Sequence, residues 1–181
     1  MLKNGNLLIA EPFLGDKNFE RSVVLVCEHD TKGSFGFVLN QTTDVLLADV
    51  LEQNIYPDIP LFIGGPVEQN TLHFIHRRAD LIEKSVQIKE GLYWSGNFEQ
   101  VIELLNVGAL LAKDIRFFVG YSGWGAGQLD MELKKDSWII SQTPPDFIFE
   151  TESKEFWRAV LKLMGGEFKV LANYPIDPRL N

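Results

Sequence analysis

Gly120-Tyr121-Ser122-Gly123-Trp124-Gly125-Ala126-Gly127-Gln128-Leu129 sets four glycines around a large aromatic residue, after the apolar run Ile115 to Val119 and at the start of a segment, Gln128 to Lys135, that carries Leu129 and Leu133 on one helical face. Glycine permits positive φ and close approach of other main chain, so this density predicts a crowded junction whose geometry is set by backbone. The local order is read as strand, glycine loop, helix.

Upstream, Ser22 to Glu28 and Phe35 to Leu39 read as two strands joined by His29-Asp30-Thr31-Lys32-Gly33-Ser34, whose polar and glycine content suits a hairpin connection. Thr43 or Asp44 is placed to cap a short helix through Val45, Leu46, Val50 and Glu52 that ends before Pro57. Pro60 to Ile63 is a further strand, punctuated by Gly64-Gly65-Pro66-Val67 before Leu72 to His76 resumes an extended pattern. Val86 to Ile88 and Leu92 to Trp94 are short strands, and Asn97 caps a helix in which Gln100 supplies a capping-box partner.

Downstream, Trp138-Ile139-Ile140 is a strand broken by Pro144-Pro145, and Thr151 or Ser153 starts a last helix through Phe156, Trp157, Val160, Leu161 and Met164, stopped at Gly165-Gly166. Strands and helices mix without regular βαβα alternation, which favours α+β over a doubly wound parallel sheet. No repeat or linker divides the chain, so residues 1–181 read as one domain.

With 181 residues and 45% hydrophobic content, one sizeable core is expected. The 25 acidic against 17 basic residues leave a formal charge of -8, which opposes binding to a polyanion, so nucleic acid is disfavoured as a partner. Cys27 is the one cysteine, which rules out an intrachain disulfide and fits a reducing, cytoplasmic location. The amino end is too short in apolar residues for a signal peptide, and no apolar run approaches the roughly 20 residues that span a bilayer.

Gly123, Gly125 and Gly127 begin a dinucleotide fingerprint, but Gln128 stands where its last glycine belongs, and no P-loop lysine follows. Ser122 has Gly120 two residues before it, as a nucleophile elbow requires, yet Trp124 occupies the second glycine position. His73 and His76, three apart on an extended segment, point to opposite faces and would share no metal. Cys27 continues the run Val23-Val24-Leu25-Val26 and reads as a small buried apolar residue. No cofactor or metal site is expected.

Taken together, Gly5-Asn6-Leu7-Leu8-Ile9-Ala10, Phe19-Glu20-Arg21-Ser22-Val23, Gly36-Phe37-Val38-Leu39-Asn40, Gly64-Gly65-Pro66-Val67, Gly120-Tyr121-Ser122-Gly123-Trp124, Gly127-Gln128-Leu129 and the tail Asp177-Pro178-Arg179-Leu180-Asn181 closely resemble the YqgE/AlgH family of bacterial proteins. The resemblance covers nearly the whole chain. One departure is Gly125-Ala126, where the family often has a proline. The resemblance implies a compact α+β domain with a branched mixed sheet, part of it curled into a small barrel, surrounded by helices. Some family members carry the label of transcriptional regulator, but the sequence has no helix-turn-helix signature, so regulation would pass through a protein partner.

The expected function is that of a non-catalytic cytoplasmic binding or regulatory protein, acting through a protein partner or a small molecule. Its pocket or partner surface would be built from Arg21, Asn40, Gly64, Gly65, Ser122, Trp124 and Gln128. Membrane is not an expected partner, and a homo-oligomer is left open. The rivals are a hydrolase-like enzyme using a carboxylate or Ser122 in the glycine-loop cleft, and a regulator that contacts nucleic acid directly.

Overall fold

The computed structural model describes residues 1–175. Its strands are β1 (Leu7–Ala10), β2 (Val23–Asp30), β3 (Gly33–Val38), β4 (Thr42–Leu46), β5 (Pro60–Ile63), β6 (Val67–His76), β7 (Val86–Lys89), β8 (Leu92–Trp94), β9 (Ile115–Gly125) and β10 (Trp138–Ser141). Its helices are α1 (Leu47–Leu51), α2 (Phe98–Asn106), α3 (Gln128–Lys134), α4 (Pro145–Glu150), α5 (Phe156–Met164) and α6 (Phe168–Leu171), with a 3-10 turn at Ala112–Asp114. The tail Asp177 to Asn181 that contributes to the family resemblance lies outside the described residues.

The strands form one mixed sheet in the order β10-β1-β2-β3-β9-β6-β8-β7, from which β4 and β5 branch because β5 pairs with β9. Every ladder is antiparallel except that of β5 on β9. The hairpin of β2 and β3 is tighter than its composition implies. Pairing runs out to Asp30 and Gly33, leaving Thr31-Lys32 as the turn, and the Asp30 carboxylate accepts from the amides of Lys32 at 2.7 Å and Gly33 at 3.2 Å. A side chain that ties its own following amides replaces two loop hydrogen bonds and lets the ladder extend.

The branch sits on β9. Along one edge β9 pairs with β6, and along the other it pairs first with β5 at Phe117 to Val119 and then with β3 at Ser122 to Gly125. Where β3 parts from β9, Gly64 wedges between them, donating its amide to Val119 O at 2.9 Å and accepting at its carbonyl from the Val38 amide at 2.8 Å. The expected curl into a small barrel is not found. The two end strands, β10 and β7, share no ladder, because the edge of β9 is divided between two strands and the sheet forks instead of returning on itself.

Local expectations are corrected in four further places. The glycine loop is mostly strand, since β9 continues through Gly125, and low strand propensity is overridden by neighbours that demand the absence of side chains there. Thr43 and Asp44 belong to β4 instead of capping a helix, and α1 starts only at Leu47, with the Asp49 carboxylate accepting from the Leu46 amide. Asn97 does cap α2 by accepting from the Gln100 amide, but the Gln100 side chain accepts from the Glu83 amide instead of closing a capping box. Pro145 opens α4 where a break alone is expected, since proline fits a first helical turn whose amides lack partners.

The sheet buries three apolar clusters. Leu7, Ile9, Val23, Leu25 and Phe37 pack with Ile148, Phe156, Trp157 and Leu161 from α4 and α5. Leu61, Phe74, Ile115 and Phe117 pack with Leu47 of α1 and Val101, Ile102 and Leu105 of α2. Leu8, Val24, Val26 and Val38 form the third with Trp124, Leu129 of α3 and Trp138.

At the fork Gly120 adopts φ +67°, and a Cβ there would sit 2.8 Å from the carbonyl oxygens of both Gly65 and Val67. Replacing Gly120 with Ala is expected to destabilise the fold by about 2–4 kcal/mol. Urea unfolding measures this, and a loss under 1 kcal/mol would mean that the fork tolerates side chains.

Candidate functional site

The sequence-expected residues settle into three separate clusters. The first is the fork itself. A Cβ on Gly64 would collide with Gly120 O, and one on Gly65 would collide with Tyr121 O and Ser122 Oγ, so the two glycine segments do meet in main-chain contact. Ser122 is fully buried and donates its hydroxyl to Gly64 O at 3.0 Å. That hydroxyl closes the fork, with its proton committed to a carbonyl.

The second cluster surrounds Trp124, which β9 turns into the core beneath α3. Its indole Nε1–H donates to Glu132 Oε2 at 3.0 Å, and Trp138 donates to the same oxygen at 2.8 Å. Gln128 bridges strand and helix, accepting from the Gly125 amide at 3.0 Å and donating to Glu132 Oε1 at 3.1 Å. One carboxylate therefore holds two buried indoles and the first turn of α3.

Arg21 and Asn40 make the third cluster. Asn40 donates to Arg21 O and accepts from the Val23 amide, both at 2.9 Å, which pins the start of β2 to the segment that follows β3. Arg21, at φ 50°, donates to Tyr174 O and Pro175 O and lies over the Trp157 ring at 4.6 Å. Burial, together with the nearby Arg158, lowers its pKa.

A fourth arrangement brings together residues that sequence reasoning did not group. Phe35 and Phe37 of β3, Tyr121 of β9, His73 of β6 and Trp94 of β8 line an open cup of about 310 Å³ across four successive strands. Phe37 forms the floor, stacked on Phe118 at 4.8 Å, and Phe35 meets Trp94 edge-on at 5.0 Å. His73 lies between Phe37 and Tyr121, at 5.4 and 5.8 Å from their rings, and pairs its Nε2 with Thr71 Oγ1 at 2.9 Å. Burial pushes the His73 pKa down from 6.5, against a smaller upward pull from Glu68. The signal in the sequence was the alternation Phe35-Gly36-Phe37, which places two aromatic rings on one strand face. Nothing local told that Trp94 and His73 would arrive beside them.

His76, Cys27 and the basic pair Arg77-Arg78 occupy structural settings. His76 is buried on the other side of β6. Its Nδ1 accepts from the Arg78 amide at 3.1 Å, so its proton sits on Nε2, which donates to Ser95 O at 3.0 Å. Burial lowers its pKa from 6.5, against smaller upward pulls from Ser95 O and Asp80. Cys27 is buried at the bulge between β2 and β3, and burial, reinforced by Glu28, pushes its thiol pKa well up. The basic pair is tied to carboxylates: Arg77 contacts Asp114, Asp146 and Glu150, and Arg78 contacts Asp80 and Asp114. Among the described residues no group of three His, Cys, Asp or Glu side chains converges as a metal site, and no helix is long and apolar enough to cross a membrane.

The model of the AlgH-like family, DUF179, matches residues 7–169. The chain belongs to the AlgH-like family. A UPF0301 protein of Cytophaga hutchinsonii is 50% identical over 182 residues, covering 100% of both chains, and one of Chlorobium luteolum is 43% identical over 180 residues, covering 99% of this chain and 95% of the other. The solution structure of AlgH from Pseudomonas aeruginosa has a TM-score of 0.75 at 27% identity, over 95% of this chain and 94% of that one. A crystal structure from Corynebacterium diphtheriae shares the fold, with a TM-score of 0.78 at 23% identity over 96% and 95% of the two chains. The AlgH-like assignment carries a family and a fold, and names no reaction.

Replacing Glu132 with Leu strands two indole N–H groups and is expected to cost about 2 kcal/mol, read from the urea midpoint, whereas the same change at exposed Glu103 costs under 0.5 kcal/mol. His76 has a folded-state pKa below its unfolded value, so its contribution to stability is complete above about pH 6.5 and is lost as pH falls through the folded-state pKa. Stability measured at pH 7 and pH 5 should therefore fall, with a shallower decline in His76→Gln; equal slopes would remove His76 as a cause.

Proposed function

We propose that this AlgH-like chain is a non-catalytic binding protein that seats an apolar or aromatic side chain of a protein partner in the cup of Phe35, Phe37, His73, Trp94 and Tyr121. The observation that carries this reading is the cup itself: five rings held on four strands, open to solvent, with His73 as the one imidazole among them. Aromatic groups on rigid elements lose little entropy on binding, and buried aromatic anchors dominate the energetics of protein interfaces.

A second hollow of about 340 Å³ favours a polypeptide over a small molecule as the occupant. It shares Phe35 with the cup and adds Glu28, Asp30, Lys32 and Ser34. An apolar pocket continuous with a charged rim is the arrangement that a side-chain anchor and its flanking main chain require. Regulation of the partner through its sequestration fits this reading. The buried free thiol of Cys27 and the absence of cystine fit the reducing cytoplasm as its location.

Glu28, cross-strand from Phe35 and exposed, offers a position for a photo-crosslinking residue at the rim of the cup. In cells, that variant is expected to trap one discrete protein, and adding Trp94→Ala should reduce the adduct about 30-fold with circular dichroism unchanged. Trapping that survives the loss of Trp94 in a folded protein would exclude the cup. Capture should also weaken as the pH is lowered from about 7 to below the ordinary histidine value of 6.5 and through the lowered His73 pKa, as His73 gains a charge inside an apolar site, and His73→Phe should remove that dependence.

A further inference from the structure

Arg116 is 8% exposed, on β9, with a chemistry the aromatic cup does not use. Its guanidinium lies 4.7 Å over the Phe62 ring, and Nη1 donates to Leu39 O at 3.0 Å. Among the described residues no carboxylate lies within ion-pair distance, and neither Nε nor Nη2 has an acceptor. Burial without a counter-ion pushes its pKa down to about 10. Nε and Nη2 are not among the buried atoms that lack a partner, so they face the hollow beside them and their N–H groups are free to meet a ligand there.

The surroundings specify what that ligand is. Arg116 and Lys113 line a hollow of about 170 Å³ whose walls are Ile59, Pro60, Phe62, Ala112, Ile115 and Phe149. No carboxylate lines the hollow, and the acidic groups of the flanking elements are engaged: Asp114 binds Arg77 at 2.8 Å, and Asp146 and Glu150 of α4 bind the same arginine. Two cations thus meet in an apolar hollow of a chain whose formal charge is -8. With Nη1 engaged by Leu39, the Nε and Nη2 edge remains, which is the edge that grips two oxygens of one oxyanion side by side.

We infer that the hollow between β5, α4 and the start of β9 is a binding site for a small oxyanion, the phosphate or carboxylate head group of a ligand, held by the Nε–Nη2 edge of Arg116 with Lys113 at the rim. The volume of about 170 Å³ suits a small anion, and the walls of Phe62 and Phe149 suit a short apolar remainder. Apolar walls lower the local dielectric, which strengthens an ion pair there relative to one on the open surface.

The test is thermal unfolding of the full chain titrated with sodium phosphate and, separately, sodium benzoate, at ionic strength held constant with sodium chloride. Saturable stabilisation by about 3–5 °C at ten times Kd is expected for at least one of them, and which one responds identifies the head group. Arg116→Met is expected to melt higher than wild type without anion, because a buried uncompensated charge has been removed, and to respond to neither anion. Lys113→Glu, a change at an exposed position, should lose the response with the basal melting temperature retained, which keeps the test decisive if the first variant fails to fold. No saturable response from wild type to either anion, or an equal response from wild type and Lys113→Glu, would overturn the assignment.

Discussion

The structure depends on one glycine carbonyl and the strand it divides. Gly64 O accepts from the Val38 amide and from Ser122 Oγ, while Gly64 N–H donates to Val119 O, so β3, β5 and β9 are joined through a single residue. This is possible only where no Cβ stands between the chains, and Gly64, Gly65 and Gly120 supply that space from two distant parts of the sequence. The fork lets β9 serve two half-sheets at once, with β3 carrying one on toward β10 and β6 carrying the other on toward β7. An ordinary strand pairs with one neighbour per edge; this one changes partner along its length.

That division gives the molecule its two unassigned hollows. After the fork, β9 lies between β3 and β6 and presents Tyr121 beside Phe35, Phe37 and His73, so the aromatic cup forms on a continuous run of strands. Before the fork, β9 lies beside β5, and Arg116 is enclosed by Phe62 and the residues leading into both strands. The first hollow is apolar with an acidic flank, and the second is cationic within apolar walls. They differ in chemistry because the same strand has different neighbours on either side of Gly120.

Much of the secondary structure was legible from local pattern. Val23 to Val26 and Pro60 to Ile63 are strands as their apolar and β-branched residues predict, and Asn97 and Gly165 mark helix ends by the chemistry of their caps. Local pattern failed where tertiary neighbours outweighed propensity. Gly123 to Gly125 reads as loop but is strand, because β3 requires main-chain pairing there, and Pro145 reads as a breaker but starts a helix that Ile148 anchors in the core.

The sequence by itself determined the mixed α+β class, the acidic net charge and the expectation of close backbone contact at the glycine segments, because each follows from composition, short-range period or the special φ range of glycine, and its ordered motifs carried the family resemblance. Tertiary structure alone decided that Ser122 closes a fork, that Trp124 faces inward onto Glu132, that Arg21 and Asn40 tie the ends of β2 and β3, and that the sheet stays open. It alone decided too that Trp94, His73 and Phe35 share a cup and that Arg116 is buried without a carboxylate. Strand order is a long-range property, set by which edges meet after the chain has crossed tens of residues, and no local period encodes that meeting.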